Sequence, residues 1–196
     1  KPGAMIDRQT ALTRLRWPAV IAMLLLTACK AEVKQRGTAS DRFFQVSDYI
    51  LDDYKKERSE KALFKTITIN GQTDTLLLTD SLKAGETIFM DKLNLNNPDW
   101  TTKYAADTAY GIYGDADRYR YRALDENLPV QNIEVNMEKG IVSNIKVYSH
   151  RSSLINRHDQ TLTYIPHSGY HLSSLQRMWN GDTLRMEVNA EFRVMR

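Results

Sequence analysis

The chain has 196 residues, 42% of them hydrophobic, with 27 Lys and Arg against 24 Asp and Glu and a single cysteine. Lys1, Arg8, Arg14, Arg16 and one acid, Asp7, precede Cys29, so the remainder is electrically balanced and has no bulk attraction for nucleic acid or for an anionic membrane surface. One cysteine excludes an internal disulfide and a thiolate zinc cluster, and the length after Cys29 suits one domain with its own core. In chain order, Lys1 to Ala4 come before Met5, the expected initiator, and are set aside as a remnant. Arg14 and Arg16 then lead into Trp17 to Thr27, an almost unbroken apolar run. A helix needs roughly 20 residues to cross a bilayer core, and Trp17 to Ala28 is shorter, so residues 1–28 are expected to end in a cleaved secretory signal.

The run closes on Leu26, Thr27, Ala28 and Cys29: an aliphatic residue, a β-branched one, alanine and cysteine. This resembles the lipobox of bacterial lipoprotein precursors, and the resemblance covers the first 29 residues. It implies a diacylglycerol on the Cys29 thiol, cleavage before that residue and acylation of the new amino group. The competing reading is a free thiol after a core helix. Two or more acyl chains, each methylene contributing about 0.8 kcal/mol, hold a protein at a membrane it does not itself enter. The resemblance therefore implies a membrane partner reached through Cys29 and a cell-envelope location. In that family Asp after the cysteine accompanies inner-membrane retention; Lys30 stands there instead, which favours the outer membrane.

Residues 29–39 read as the lipidated cysteine and a polar tether containing Gly37, and residues 40–196 as a single domain. Ser40-Asp41 offers an N-cap, and Phe43, Phe44, Val46, Tyr49, Ile50, Leu51 and Tyr54 recur at helical spacing, which predicts a helix over about 41–60. Asp48, Asp52, Asp53, Lys55 and Lys56 are expected on its polar side. That face mixes signs, so the aromatic stripe is read as core rather than as a membrane-surface face. Leu63 to Ile69, Asn70-Gly71 and Gln72 to Thr79 form a hairpin signal, because Asn-Gly supplies the positive φ angles of a type I′ turn. Residues 80–95 fit a short helix or a strand, the helix being preferred, and Trp100 to Tyr113 has little periodicity.

Period-two alternation follows in six runs: Arg118 to Ala123, Val130 to Met137, Ile141 to Tyr148, Gln160 to Ile165, Tyr170 to Met178 and Thr183 to Phe192. Turn residues separate them, which predicts an α+β fold: a twisted or curved antiparallel sheet of about six to eight strands packed with one or two helices. Ile133, Val135, Ile145, Val147, Leu162, Tyr164, Leu184, Met186 and Val188 would form its apolar face. The order of a helix and then many strands is similar to lipoprotein carriers of the LolA and LolB type, in which a sheet holds acyl chains under a helical lid. That likeness is one of layout, without a shared motif, and implies fold shape rather than activity.

No phosphate loop, nucleophile elbow or metalloprotease motif occurs, and nothing calls for a cofactor or a metal. His150, His158, His167 and His171 are expected near strand ends and loops. His158 and Asp159 with a nearby serine, Ser152 or Ser153, are the elements of a hydrolase, set against solvated loop histidines. In a strand, Arg118, Arg120 and Arg122 share one face and Tyr119 and Tyr121 the other. These five residues are the candidate ligand contacts: tyrosines for stacking, arginines for anions. The alternative, which the pattern favours, is tyrosine packed inward and arginine in water. The expected function is a non-catalytic, lipid-anchored envelope protein that binds a protein, glycan or lipid and no nucleic acid; the alternative is a lipid-anchored hydrolase.

Overall fold

Alternating side chains between Ala62 and Arg193 build nine antiparallel strands, seen in a computed structural model that describes residues 42–79, 90, 93–112 and 114–194. Every described residue belongs to one compact unit, Ala39–Arg196. The strands are β1 (Ala62–Ile69), β2 (Gln72–Leu78), β3 (Tyr104–Tyr110), β4 (Ala116–Ala123), β5 (Val130–Glu138), β6 (Ile141–Ser152), β7 (Asn156–Ile165), β8 (Gly169–Met178) and β9 (Thr183–Arg193). Their order is β2-β1-β9-β8-β7-β6-β5-β4-β3, so β3 to β9 form a meander and the β1–β2 hairpin joins beside β9. The sheet is open, with β2 and β3 at its edges. Asn70 and Gly71 have φ of 48° and 88°, as the Asn-Gly turn requires.

Register makes the sheet two-faced. Tyr121, Ile133, Val147, Leu162, Leu172 and Val188 are successive partners across six strands, and Tyr119, Val135, Ile145, Tyr164, Tyr170 and Ala190 form the next row. The opposite face carries Arg120, Glu134, Lys146, Thr163, His171 and Asn189 in the same manner. An antiparallel sheet with one solvated face needs cover only on the other. Among the described residues that cover is α1 (Val46–Glu60), whose Val46, Ile50 and Tyr54 are buried, together with Met90, Leu93 and Leu95. Burying Val46 and Ile50 contributes about 1.5–3 kcal/mol each. Of the predicted apolar face, Leu184 is exposed and Met186 half-buried, because their ends of the strands project past this cover.

Three expectations change. The described residues hold nine strands, since β3 lies in the weakly periodic Trp100–Tyr113 stretch and is held by pairing to β4. The helix starts at Val46 rather than near 41, because side chains take the backbone groups of the two phenylalanines before it: Phe43 N–H donates to Asn96 Oδ1 (3.0 Å), Phe43 C=O accepts from Asn96 Nδ2 (2.8 Å), and Phe44 N–H donates to Tyr121 Oη (2.9 Å). Asp53 is buried, not on a solvated helix face. The histidines fall near strand ends and in a loop, as expected: His150, His158 and His171 lie two residues inside an end of β6, β7 and β8, and His167 is in the β7–β8 turn. The expectations for the signal segment, Cys29, the tether and the Ser40-Asp41 cap fall outside the described residues, as does most of 80–95. Among the described residues no helix is long and apolar enough to cross a membrane.

Candidate functional site

Along β6, β7 and β8 the covered face changes character. The apolar partners Val147, Leu162 and Leu172 are followed toward the β6–β7 turn by Ser149, Gln160 and Ser174, and then by Arg151, His158 and Gln176. Same-face steps are two residues apart, so Leu162 and His158 stand roughly 13 Å apart along the strand. Over this gradient lies a cavity of about 520 Å³. Its apolar part is formed by Val130, Val147, Leu162 and Leu172 with Leu93 and Trp100 from the covering segment, and its polar part by Ser149, Arg151, His158 and Gln160. Trp100 is held in place by stacking on Tyr104, with centroids 6.0 Å apart. Tyr104 in turn donates to the Val130 carbonyl at 2.8 Å, and burial pushes its phenol up to about 12. The result is a cleft with a greasy end and a cationic, hydrogen-bonding end, within the usual volume range of small-ligand sites.

His158 and Asp159 do not meet, because adjacent residues of a strand face opposite ways. His158 Nε2 lies 2.7 Å from Ser174 Oγ across the β7–β8 pairing, and among the described residues no carboxylate bonds to it. On the open face Asp159 gathers the Tyr148 hydroxyl (3.0 Å), His150 Nδ1 (2.8 Å) and an Arg177 guanidinium nitrogen (3.0 Å), with Arg157 Nε at 3.5 Å. The His150 hydrogen bond first, then the Tyr148 hydroxyl and the Arg157 charge, hold the Asp159 carboxyl below its usual range against partial desolvation. Ser152 and Ser153 are exposed at the β6–β7 turn. Serine, histidine and aspartate are therefore not assembled from these residues.

A second polar cluster joins α1 to the β7–β8 turn. His167 Nδ1 is 2.8 Å from Asp53 Oδ1 and 2.9 Å from Glu57 Oε1, while Asp53 Oδ2 accepts from the Tyr164 hydroxyl (2.7 Å) and the His167 amide (3.0 Å). Two acceptors facing one nitrogen place the proton on Nδ1. Burial raises the Glu57 pKa, but Lys61 and His167 outweigh it and leave the carboxyl below its ordinary value. Asp53, Glu57 and His167 bring donor atoms within 4.8 Å of one another, a spacing that suits a divalent cation. The Lys61 ammonium already contacts Glu57 Oε2, and both Asp53 oxygens are occupied, so the cluster is closed by its own charges and works as a tie between helix and sheet. Sequence reading missed it because Asp53 and Glu57, four apart, look like any solvated helix face.

The Arg/Tyr strand is β4, and both tyrosines face inward. Tyr121 is buried edge-on against Phe43 (5.1 Å), and Tyr119 stacks on Phe44 (6.0 Å). Arg118, Arg120 and Arg122 line the open face, where Arg120 Nε pairs with Glu134 Oε1 at 2.9 Å. Stacking and anion contact thus lie on opposite sides of the sheet, and the five residues do not form one site. Replacing the three arginines with Gln is expected to leave the melting temperature within about 2 °C, since exposed ion pairs contribute roughly 0–1 kcal/mol. A thermal melt checks this. Comparison of the chain with family models, with characterised proteins and with solved structures finds no match.

Proposed function

We propose that this chain is a lipid-anchored cell-envelope protein whose domain binds, without catalysis, an amphipathic ligand with an apolar body and an anionic head. The observation that carries the reading is the cavity graded from Leu162 and Leu172 to Arg151 and His158. An acyl chain or similar body would be removed from water by Val130, Val147, Leu93 and Trp100. A carboxylate or phosphate would meet the Arg151 guanidinium, a donor suited to planar and tetrahedral oxyanions. Lipid is thus the favoured class among protein, glycan and lipid partners. The test is titration of the full chain with a fluorescent fatty acid, following quenching of Trp100 in a Trp17→Phe/Trp179→Phe background. Saturable binding that weakens at least about tenfold in Arg151→Gln supports the reading; unchanged Trp100 emission refutes it.

The anchor has its own test. Cys29→Ala is expected to abolish metabolic labelling with radioactive palmitate and to leave the precursor uncut, as the lipobox implies. Mass spectrometry of native protein showing an unmodified Cys29 would overturn it. The 2.7 Å pair of His158 and Ser174 keeps hydrolysis as a second reading, in which Ser174 is the nucleophile and His158 its base. Turnover of an ester probe, lost in Ser174→Ala, would establish it.

A further inference from the structure

Antiparallel pairing sends alternate connections to opposite ends of the sheet, so the β6–β7, β8–β9 and β1–β2 turns share one end. Two of these turns carry large apolar side chains directly into solvent. On the first, Leu154 is 101% exposed and Ile155 66%; on the second, Trp179 is 79% exposed and Met178 42%. The Trp179 amide donates to the Ile155 carbonyl at 3.1 Å, so the two tips stand side by side as one projection. Leu184 and Ile69, also exposed, continue it onto β9 and β1. Four arginines stand on the strands behind these tips: Arg151 on β6, Arg157 on β7, Arg177 on β8 and Arg185 on β9. Asp159 pairs with Arg157 and Arg177, whereas Arg151 and Arg185 have no carboxylate partner among the described residues.

We infer that this end of the sheet is a bilayer-contact surface, with Leu154, Ile155 and Trp179 seated among lipid headgroups and the arginines on lipid phosphates. Convex, unpartnered tips present no groove that a rigid protein ridge could fill, while a fluid interface closes around them. Tryptophan beside aliphatic tips, with arginines set behind, matches the order of layers at a membrane surface: acyl boundary, ring zone, phosphate. The chain after Cys29 is balanced in charge, so the apolar tips supply the attachment and the local arginines orient it. Arg151 and His158 lie within three residues of the first tip, so seating the tips brings the polar end of the cavity against the membrane. The contact deepens the proposed function by naming the source of its ligand, a membrane lipid, yet it stands on the tips alone.

Trp179 is its natural reporter. In the full chain carrying Trp17→Phe/Trp100→Phe, Trp179 is the single tryptophan. Added to vesicles of phosphatidylcholine containing about one third phosphatidylglycerol, it is expected to shift to the blue and to lose at least about half its emission when the acyl chains are brominated. Leu154→Ser/Ile155→Ser should restore most of that emission. Arg151→Gln/Arg185→Gln should shift vesicle partitioning several-fold at low salt and little at high salt. The wild-type chain with 5-fluorotryptophan, read by ¹⁹F resonance against a paramagnetic lipid, reports the same contact without substitutions. Trp179 emission that stays water-like and unquenched overturns the inference, as does a blue shift that follows protein concentration without vesicles, which would mark a contact between copies. Quenching at Trp179 with no fatty-acid response at Trp100 keeps the membrane contact and removes the cavity reading; the reverse pattern does the opposite.

Discussion

Gly169→Ala is expected to cost about 4 kcal/mol or more and to lower the melting temperature by on the order of 10 °C. Gly169 opens β8 with φ of 136°, a conformation closed to residues with a side chain, and is wedged between Ile165 and Glu191 as their cross-strand partner. An added Cβ would stand 1.9 Å from the Ala190 carbonyl oxygen and 3.0 Å from Glu191 Cα. Those atoms are backbone of β9 and cannot swing aside as a side chain would. Relief requires β9 to separate from β8, which also strains the hydrogen bond that the Phe192 amide donates to the Ser168 carbonyl (2.9 Å) beside it. Gly71→Ala, where open space surrounds the new methyl group, carries only the φ penalty and should cost far less. Equal melting temperatures for the two variants would contradict the packing account.

The second large effect is expected at Asp53. Asp53→Ala leaves the Tyr164 hydroxyl, on a side chain with no exposed surface, and the His167 amide without their acceptor, and it removes one anion from the His167 imidazole. Removing one partner from a buried charged network costs about 3–5 kcal/mol, whereas Asp53→Asn keeps an acceptor for the hydroxyl and should cost roughly half as much. Denaturant unfolding of the pair measures the difference, and equal losses would mean that the acceptor kept by Asn contributes nothing and that the lost charge accounts for the effect. Glu57 of this network and Asp159 on the open face give the domain a pH signature. The folded-state carboxyls of Glu57 and Asp159 lie below their ordinary values of 4.5 and 3.8. The stability they contribute is therefore fully present above those ordinary values and is lost as pH falls through the lower folded ones. Unfolding free energy should stay level through this contribution from pH 7 to about 5 and fall in acid, with a shallower fall in Glu57→Gln.

Both effects arise where local pattern is silent. Asp53 and Glu57 read as solvated because helical spacing shows which residues share a face, not what a distant hairpin brings to it, and His167 is 114 positions from Asp53. Gly169 reads as an ordinary turn residue, because the clash that makes it necessary comes from β9. The strand β3 was illegible for a related reason: Tyr-Ala-Ala-Asp-Thr-Ala-Tyr has weak strand propensity, and its extended form comes from seven partners on β4. In contrast, the outward arginines and inward tyrosines of β4 followed from alternation alone.

The cavity divides the same way. Ser149, Arg151 and His158 fell beyond the expected runs Ile141 to Tyr148 and Gln160 to Ile165, since polar residues on an inward face break the pattern used to draw strand limits. Pairing extends β6 to Ser152 and β7 back to Asn156, and this turns those residues into the polar wall of a cleft. Sequence by itself determined the periodicities: an amphipathic helix, the Asn-Gly hairpin, six further alternating runs and the side of each that is apolar, because these depend only on side-chain spacing along one chain. Tertiary structure alone decided the strand order, the Asp53–Glu57–His167 tie, the separation of His158 from Asp159 and the union of Leu154 with Trp179 at one end. Each of these is a meeting of residues far apart in the chain, and such meetings are set by register and closure of the sheet, which no local spacing encodes.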